Sequence, residues 1–483
     1  MKLLEIRRSL QKLISGDVFW DDEILKFYSV DASMYQIIPK VVVVPKFESD
    51  VISVLKFANK NKISVTVRGS GTGLVGSSLN NGIIMDLKNF NSIKIFKNYA
   101  TVGIGVTKGK LDKELKKHGK FFPPNPSIGP YCSLGGIIGN NASGSRTLKY
   151  GSAINNVKEI TFLDGVGEKI ILPNDKKVGE KIIRCSKQID LKHFPRVSKN
   201  SCGYRLDCIK SLKDTHKILV GSEGTLGIVL SAKLTLQRAP PNRILFVVEY
   251  QSIENAAKNC VIIKNSFPSA LEFIDKPTLL NIKYKFQKNA NCLLFVEYDS
   301  NLEENEKKFE TLTTGKIVKK ITNEKEIEKW WKYRDLALSY SLKSIKKKDQ
   351  NPHIIEDAAV PLEKLASLFR IIKKINKEFE VKTVMYGHAG NGNIHVRIIS
   401  KRQKIKDLEK ITKMYFKHVL ALGGTITGEH GDGIARSMFI KSQYGKKNYL
   451  IFKELKGIFD PKNILNPGKI TSYQSPFKNL ESF

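Results

Sequence analysis

Cysteine is scarce in this 483-residue chain and is nowhere arranged as a motif. Cys132, Cys185, Cys202, Cys208, Cys260 and Cys292 include no C-x-x-C pair. That excludes a zinc knuckle and an iron–sulfur cradle, and sparse, unpatterned cysteine fits a reducing compartment. Long apolar runs are also missing. None approaches the ~20 residues needed to cross a bilayer. Met1 to Ile14 mixes apolar residues with Glu5, Arg7, Arg8 and Lys12, an amphipathic helix and not the apolar core of a signal peptide. The expected location is cytoplasmic, with peripheral contact at the inner membrane face left open. Acidic residues are the third shortage. Asp and Glu number 47 against 81 Lys and Arg, a net charge of +34. Such an excess invites nucleic acid or an anionic membrane as partner. The lysines are scattered, however, and only Lys343 to Lys348 clusters, which reads as a solvated loop. No zinc finger, RNA-recognition signature or aromatic–basic segment is present, so nucleic acid is not an expected partner.

What the chain does have is glycine, concentrated in loops. Val65-Thr66-Val67-Arg68 is a β-branched run that enters Gly69-Ser70-Gly71-Thr72-Gly73-Leu74-Val75-Gly76. Successive backbone N–H groups in such a loop form a nest suited to a diphosphate. Gly71 to Gly76 spells G-x-G-x-x-G, but a dinucleotide fingerprint must open a helix. Here Ser77 to Gly82 reads as a turn and Ile83 to Leu87 as another strand. A second glycine segment runs from Ser133 to Ser145 and a third from Gly221 to Val229. Three such loops flanked by β-like runs point to one large, extended cofactor touched at several places.

The length accommodates about three domain-sized units. A helical lead-in occupies residues 1–35. Val41 to Val44 reads as a buried strand, Ser49-Asp50 as the cap of a helix over Val51 to Asn61, and Ser64 to Val67 as a strand. Ala100 to Val106 is a further strand and Leu111 to His118 a helix. Ala239-Pro240-Pro241-Asn242 marks a boundary. Beyond it, strands at Ile244 to Glu249, Cys292 to Tyr298 and Val384 to Tyr386 alternate with helices at Ile253 to Asn265 and Leu362 to Glu378. That pattern predicts an α+β domain with an antiparallel sheet. A last helix is expected near Lys447 to Ile458, stopped by Asp460-Pro461.

Two glycine loops carry chemistry. Tyr386 to Arg397 places His388 and His395 either side of Ala389-Gly390-Asn391-Gly392, and Thr427 to Gly433 sets Glu429 beside His430. Two imidazoles and one carboxylate make a three-ligand site with open positions. That suits a divalent metal, Zn²⁺ foremost, with Mn²⁺ and Fe²⁺ as alternatives.

These residues resemble the FAD-linked oxidase family of the vanillyl-alcohol oxidase and p-cresol methylhydroxylase (PCMH) superfamily. Within it they resemble its D-2-hydroxyacid dehydrogenases: cytochrome-type D-lactate dehydrogenase, glycolate oxidase flavoprotein subunit and D-2-hydroxyglutarate dehydrogenase. The resemblance is carried by Arg68 to Gly73, Gly221 to Gly227, the His388 to His395 loop, Gly428-Glu429-His430-Gly431, and Phe459 to Lys469. It implies an α+β chain: a two-subdomain, PCMH-type FAD-binding domain over 36–239, a substrate or cap domain over 240–425, and a segment 426–483 returning to the FAD domain. It implies that Arg68, Gly69, Ser70, Gly71, Thr72 and Gly73 wrap the FAD diphosphate. Gly135, Gly136, Asn140, Ala142, Ser143 and Gly144 would line the rest, with Glu223, Gly227, Ile228 and Asn466 closing over it. His388, His395 and Glu429 match the metal ligands, His430 the substrate-side base, and Arg334 the arginine for the substrate carboxylate. No histidine stands in the first loop, so the FAD is expected to be non-covalent.

Two departures stand out. Asn391 replaces an acid common in this family, which implies a lost carboxylate behind the metal ligands. Arg397 falls two positions after His395, on the same strand face, where it could hold a second anionic group; a surface arginine on an edge strand is the alternative. The implied reaction is oxidation of a D-2-hydroxy acid to the 2-oxo acid. Without a cluster motif or a second nucleotide fingerprint, electrons are expected to leave to a separate iron–sulfur subunit, cytochrome, electron-transfer flavoprotein or quinone, not to NAD. Two rivals remain: a metal-dependent hydrolase without flavin, and a non-catalytic FAD-carrying electron-transfer subunit.

Overall fold

The computed structural model describes residues 3–279, 287, 289–336, 349–350, 354–401 and 405–480. The Lys343 to Lys348 cluster lies outside the described residues. Four strands make the first sheet: β1 (Asp17–Phe19), β2 (Val41–Val44), β3 (Val65–Arg68) and β4 (Ile83–Asp86), in the order β1-β2-β4-β3. β2 and β3 both pair parallel to β4. Parallel neighbours cannot be joined by a tight hairpin. The chain therefore runs back from β3 to β4 through residues 69–82, an extended glycine loop whose backbone is left free to face a cavity. Gly71 has φ +70°, and a Cβ there would strike the Arg68 guanidinium, which lies over the Tyr28 ring at 5.2 Å. The residue type is thus dictated by both the backbone conformation and the side chain packed beneath it.

The helix between β2 and β3 runs Glu48–Asn61, starting earlier than the sequence pattern predicts. Asp50 lies inside its first turn. Its carboxylate accepts from the backbone N–H groups of Ser15 (2.9 Å), Lys46 (2.8 Å) and Phe47 (3.2 Å). It ties down the approach to the helix from within the first turn.

A second sheet holds β5 (Ile93–Ile95), β6 (Tyr99–Gly103), β8 (Val157–Leu163), β9 (Lys169–Leu172) and β10 (Ile228–Thr235), in the order β5-β6-β10-β8-β9, antiparallel throughout. β7 (Lys120–Phe121) pairs with β11 (Gln237–Arg238) beside it. Between these sheets the second glycine segment forms a short helix, Leu134–Gly139, capped by the Ser133 hydroxyl, which accepts from Gly136 N at 3.2 Å. The predicted simple loop is corrected here: glycine lowers helix propensity but does not forbid a helix that is capped and packed.

The third sheet is built from β12 (Ile244–Tyr250), β13 (Ala270–Asp275), β14 (Cys292–Tyr298), β15 (Lys316–Ile321), β16 (Asp349–Gln350), β17 (Lys382–His388) and β18 (Asn393–Lys401). Its order is β15-β12-β14-β13-β17-β18-β16, and every pairing is antiparallel. β12, β13 and β14 are buried along their whole length. Their even residues on β12 and β14 join the main core, which includes Phe369 and Ile372. Leu245, Val247, Leu293 and Phe295 pack with Ile327, Trp330 and Trp331 of helix Glu324–Asp335. Covering both faces explains why these strands are apolar on both sides, with Glu249, Glu272, Asp275 and Glu297 the charged exceptions.

The C-terminal segment packs against β3. Val65 N donates to Ile464 O and Asn466 N to Val65 O, both at 2.8 Å. Ile440–Phe459 is helical on both sides of a kink at Gly445, whose backbone is non-helical, and the predicted helix near Lys447 is the part that follows the kink. Among the described residues no helix is long and apolar enough to cross a membrane.

Candidate active site

Two adjoining cavities define the site. The larger, about 380 Å³, is lined by Arg68 to Leu74 from the first loop, Gly135, Gly136, Asn140 and Ala142 from the second segment, and Glu223, Gly224 and Gly227 from the third. The smaller, about 70 Å³, is lined by Asn125, Ser143, Gly144, Arg334, Tyr386, His388 and His395. Leu74, Pro126, Ser127, Ala142, Glu429 and His430 border both.

The three glycine segments, far apart in sequence, thus share one cavity. Not every residue assigned to it lies on its wall. Ser143 and Gly144 line the smaller cavity instead. Ile228 and Asn466 are absent from both walls, for reasons of packing. Ile228 opens β10 and is fully buried in the core. Asn466 braces the loops from behind: its Nδ2 donates to Ser77 O (2.9 Å) and Glu223 O (2.7 Å), and its Oδ1 accepts from Thr66 (2.9 Å). Glu223 lines the cavity but turns its carboxylate to the backbone N–H groups of Asp432 and Gly433, the latter at 2.9 Å. Burial, reinforced by the Asp432 charge, pushes the Glu223 carboxyl up to about 8.

At the seam between the cavities, side chains from three elements converge. His388 ends β17 and His395 lies on β18, the two strands of a hairpin in which Tyr386 opposes His395. The turn needs Gly392 at φ +66°, where a Cβ would collide with Val360 O. Glu429 and His430 arrive on the later loop. Glu429 Oε1 lies 2.8 Å from His388 Nε2, 3.2 Å from His395 Nε2 and 3.8 Å from His430 Nε2. The His395 and His430 rings stack at 5.0 Å and 13°. Burial alone would raise the Glu429 carboxyl, but His388 and Lys199 override it and hold it well below the usual range. Burial pushes His395 down. Burial also opposes protonation of His430, yet Glu356 and Asp357 prevail and raise it to about 9.

Carboxylates stand behind each imidazole. Glu272 on β13 lies 2.8 Å from His388 Nδ1 and also pairs with Arg334 at 2.6 Å. Glu356 engages His430 Nδ1. Asp357 is 3.9 Å from His395 Nδ1 and accepts from the backbone N–H of Glu429 and of His430, each at 2.9 Å. The expectation that Asn391 costs the site its outer carboxylate is therefore corrected. Asn391 donates to Ser198 Oγ at 2.8 Å, while Glu272 and Glu356 engage His388 and His430; His395 Nδ1 has no hydrogen-bond partner among the described residues, Asp357 lying 3.9 Å away. Sequence reading missed these three acids and Lys199. The signal was present: Glu272 interrupts Ala270 to Ile274, and Glu356-Asp357 sits between Ile354-Ile355 and Ala358-Ala359-Val360. A charge inside an apolar run is costly to bury without a partner.

Arg334 lines the smaller cavity. Arg397 does not line either one. It is buried on β18 with its Nη2 3.3 Å from Glu356 Oε2, and β18 lies between β17 and β16, so the surface-arginine alternative is set aside.

A long, glycine-walled cleft thus meets a cluster of imidazoles and carboxylates. Residues 39–172 match the FAD binding domain, and residues 239–470 match the FAD linked oxidases, C-terminal domain. The chain belongs to the FAD-linked oxidase family. It is 31% identical to glycolate oxidase subunit GlcD of Bacillus subtilis over 92% of this chain and 91% of that one. It is 31% identical to D-lactate dehydrogenase of Archaeoglobus fulgidus over 89% and 91%. It is 28% identical to D-2-hydroxyglutarate dehydrogenase of Haemophilus influenzae over 92% of this chain and 49% of that protein. A solved structure of alkyldihydroxyacetonephosphate synthase shares the fold, with TM-score 0.70 at 16% identity, covering 97% of this chain and 86% of that one.

Proposed function

We propose that this FAD-dependent enzyme of the hydroxy-acid dehydrogenase type oxidises a D-2-hydroxy acid to the 2-oxo acid, with a divalent metal and His430 as the base. The observation that carries this reading is the convergence of three imidazole Nε2 atoms on Glu429 Oε1 where the two cavities meet. FAD, when bound, supplies a hydride acceptor. Everything else falls to the chain.

The donor set fits a divalent cation. His388, His395 and Glu429 would hold it, and it would supply Lewis-acid polarisation of the substrate oxygens. Zn²⁺ suits this set, with Mn²⁺ or Fe²⁺ as alternatives. Among the described residues, the group whose ligand atoms lie within 4.8 Å of one another is Asp357, His395, Glu429 and His430; His388 is not in it and meets the group through Glu429 Oε1. One oxygen of Asp357, however, already accepts two backbone N–H groups and the other accepts from Asn393 at 3.1 Å, so its role is to hold the loop. Glu272 orients His388 as carboxylates commonly orient ligating histidines.

Arg334 would bind the substrate carboxylate. Glu272 fixes its Nε and Nη2, and among the described residues only Asp335, at 3.7 Å, engages Nη1. Arg397 pairs with Glu356 by charge at 3.3 Å and without a hydrogen bond, while Glu356 holds His430 Nδ1 and leaves Nε2 toward the site. A base must be neutral to accept the C2 hydroxyl proton. The carboxylates around His430 favour its charged form, and a cation held by the neighbouring ligands would oppose that charge.

Electrons would pass to a separate acceptor. One relative, 27% identical, is named a cytochrome-type D-lactate dehydrogenase of Arabidopsis thaliana. The +34 balance favours an acidic partner or an anionic membrane surface, an association that weakens with salt. A hydrolase without flavin is set aside, since it leaves the FAD-binding match unused. The decisive experiment is anaerobic mixing of the purified flavoprotein with D- and L-2-hydroxy acids. D-isomers should bleach the flavin and L-isomers should not, with no NADH formed when NAD⁺ is added. A flavin left oxidised by every acid would favour the non-catalytic electron carrier.

The FAD should be non-covalent. Cys132 borders the larger cavity, its Sγ 3.5 Å from Thr72 Oγ1, but burial raises its thiol and disfavours the nucleophilic thiolate. Acid precipitation should leave the yellow colour in the supernatant; colour in the pellet would contradict this.

A further inference from the structure

The two oxygens of Glu429 have different surroundings. Oε1 faces the three imidazoles. Oε2 faces away, accepting from Lys199 Nζ at 2.8 Å and from the Ser143 hydroxyl. The Lys199 side chain is fully buried, and its ammonium has a second acceptor, Asn393 Oδ1, at 3.3 Å. A lysine is rarely buried to this degree, because its compact, strongly hydrated charge is expensive to desolvate. Here the cost is borne beside the candidate metal ligands.

The contact is in fixed register. The residues after Lys199 are stitched to the loop segment leading into Glu429. Asn200 Oδ1 accepts from Thr425 Oγ1 at 2.9 Å, Ser201 N donates to Thr427 O at 3.0 Å, and Ser201 Oγ donates to Gly428 O at 3.1 Å. Lys199 is thus delivered to one oxygen of one carboxylate by backbone geometry. Ser143 reaches the same oxygen from the segment that also lines the cavities. Both come from the half of the chain that carries the glycine loops, whereas His388 and His395 come from the third sheet.

We infer that Lys199, assisted by Ser143, is a positioning residue that occupies Glu429 Oε2, so that the carboxylate offers only Oε1 to the imidazole cluster. This rests on reading His388, His395 and Glu429 as metal ligands. A carboxylate free at both oxygens could bind a cation through both, as carboxylates do in many sites. Held as it is here, Glu429 contributes one donor, and the remaining positions stay available to substrate oxygens from the smaller cavity. Charge neutralisation of a buried pair would need the ion pair alone. It would not need the serine on the same oxygen or the register that selects that oxygen.

The test uses the flavin-loaded protein with Co²⁺ as the metal probe. Coordination number is read from the intensity of the visible Co²⁺ bands, and oxalate is the competing oxygen ligand. Uptake of one Co²⁺ by the unmodified protein, lost in His388→Ala, examines the metal reading by itself. Absence of uptake overturns both readings. Given uptake, Lys199→Met should weaken the Co²⁺ bands several-fold as Oε2 joins the ion. The response to oxalate should be blunted, and turnover should fall roughly 10–100-fold, the scale typical of outer partners of metal ligands. Ser143→Ala, which leaves the buried lysine in place, should shift the same bands in the same direction to a smaller extent. Lys199→Arg should restore part of the wild-type spectrum. Wild-type bands and oxalate response in a folded, yellow Lys199→Met protein would overturn the inference. Should that variant not fold, wild-type bands in Ser143→Ala would do so.

Discussion

Replacing His430 by alanine is expected to lower kcat by about 10²–10⁴, the usual scale for removal of a general base, with KM changed far less and the flavin spectrum intact. The expectation rests on placement. His430 borders both cavities, its ring is stacked on His395 at 5.0 Å, and its Nδ1 is engaged by Glu356. That leaves Nε2, 3.8 Å from Glu429 Oε1, as the nitrogen at the reacting end. The loop should survive the substitution, since Asp357 holds it through the backbone N–H groups of Glu429 and His430. An interaction made mainly in the transition state is lost from kcat and not from ground-state binding. Anaerobic rapid mixing measures it directly, as the rate of flavin bleaching at saturating substrate. A bleaching rate within a few-fold of the unmodified enzyme would remove His430 from the base role.

His388→Ala is expected to empty the metal site and to cost at least about 10² in turnover, because Lewis-acid stabilisation is worth several kcal/mol. His388 is one of the proposed ligands whose removal leaves the larger cavity untouched. It ends β17, lines only the smaller cavity, and takes no part in the wall of the larger one. FAD content and absorption should therefore stay normal. The variant leaves Glu272 paired with Arg334, so the carboxylate-binding side of the cavity keeps its ion pair. Metal analysis and turnover on the same preparation check the prediction. Full activity in metal-free protein would refute it.

Much of this was legible along the chain. The glycine segments, Val41 to Val44 and the pairing of His388 with His395 are local features. Each depends on backbone permissiveness, β-branching or short spacing, which the sequence states openly. Other positions depend on packing. The resemblance implies that Asn466, Ile228 and Glu223 close over the cofactor, whereas in the structure Ile228 is buried in the core and Asn466 braces the loops from behind. Glu223 does border the cavity, but its carboxylate serves the Asp432–Gly433 backbone.

The sequence by itself determined that three glycine-rich segments and a set of two histidines, a glutamate and a further histidine exist, because glycine content and residue chemistry are properties of the chain. Only the tertiary structure decided which acids serve them. Glu272 reaches His388 across 116 positions and Glu356 reaches His430 across 74. Lys199 reaches Glu429 across 230. Glu272 meets His388 because β13 and β17 are neighbours in the third sheet, and the other two pairs form where loops distant in sequence pack together. The cost of leaving a buried charge alone requires that partners be present, but not which residues they will be.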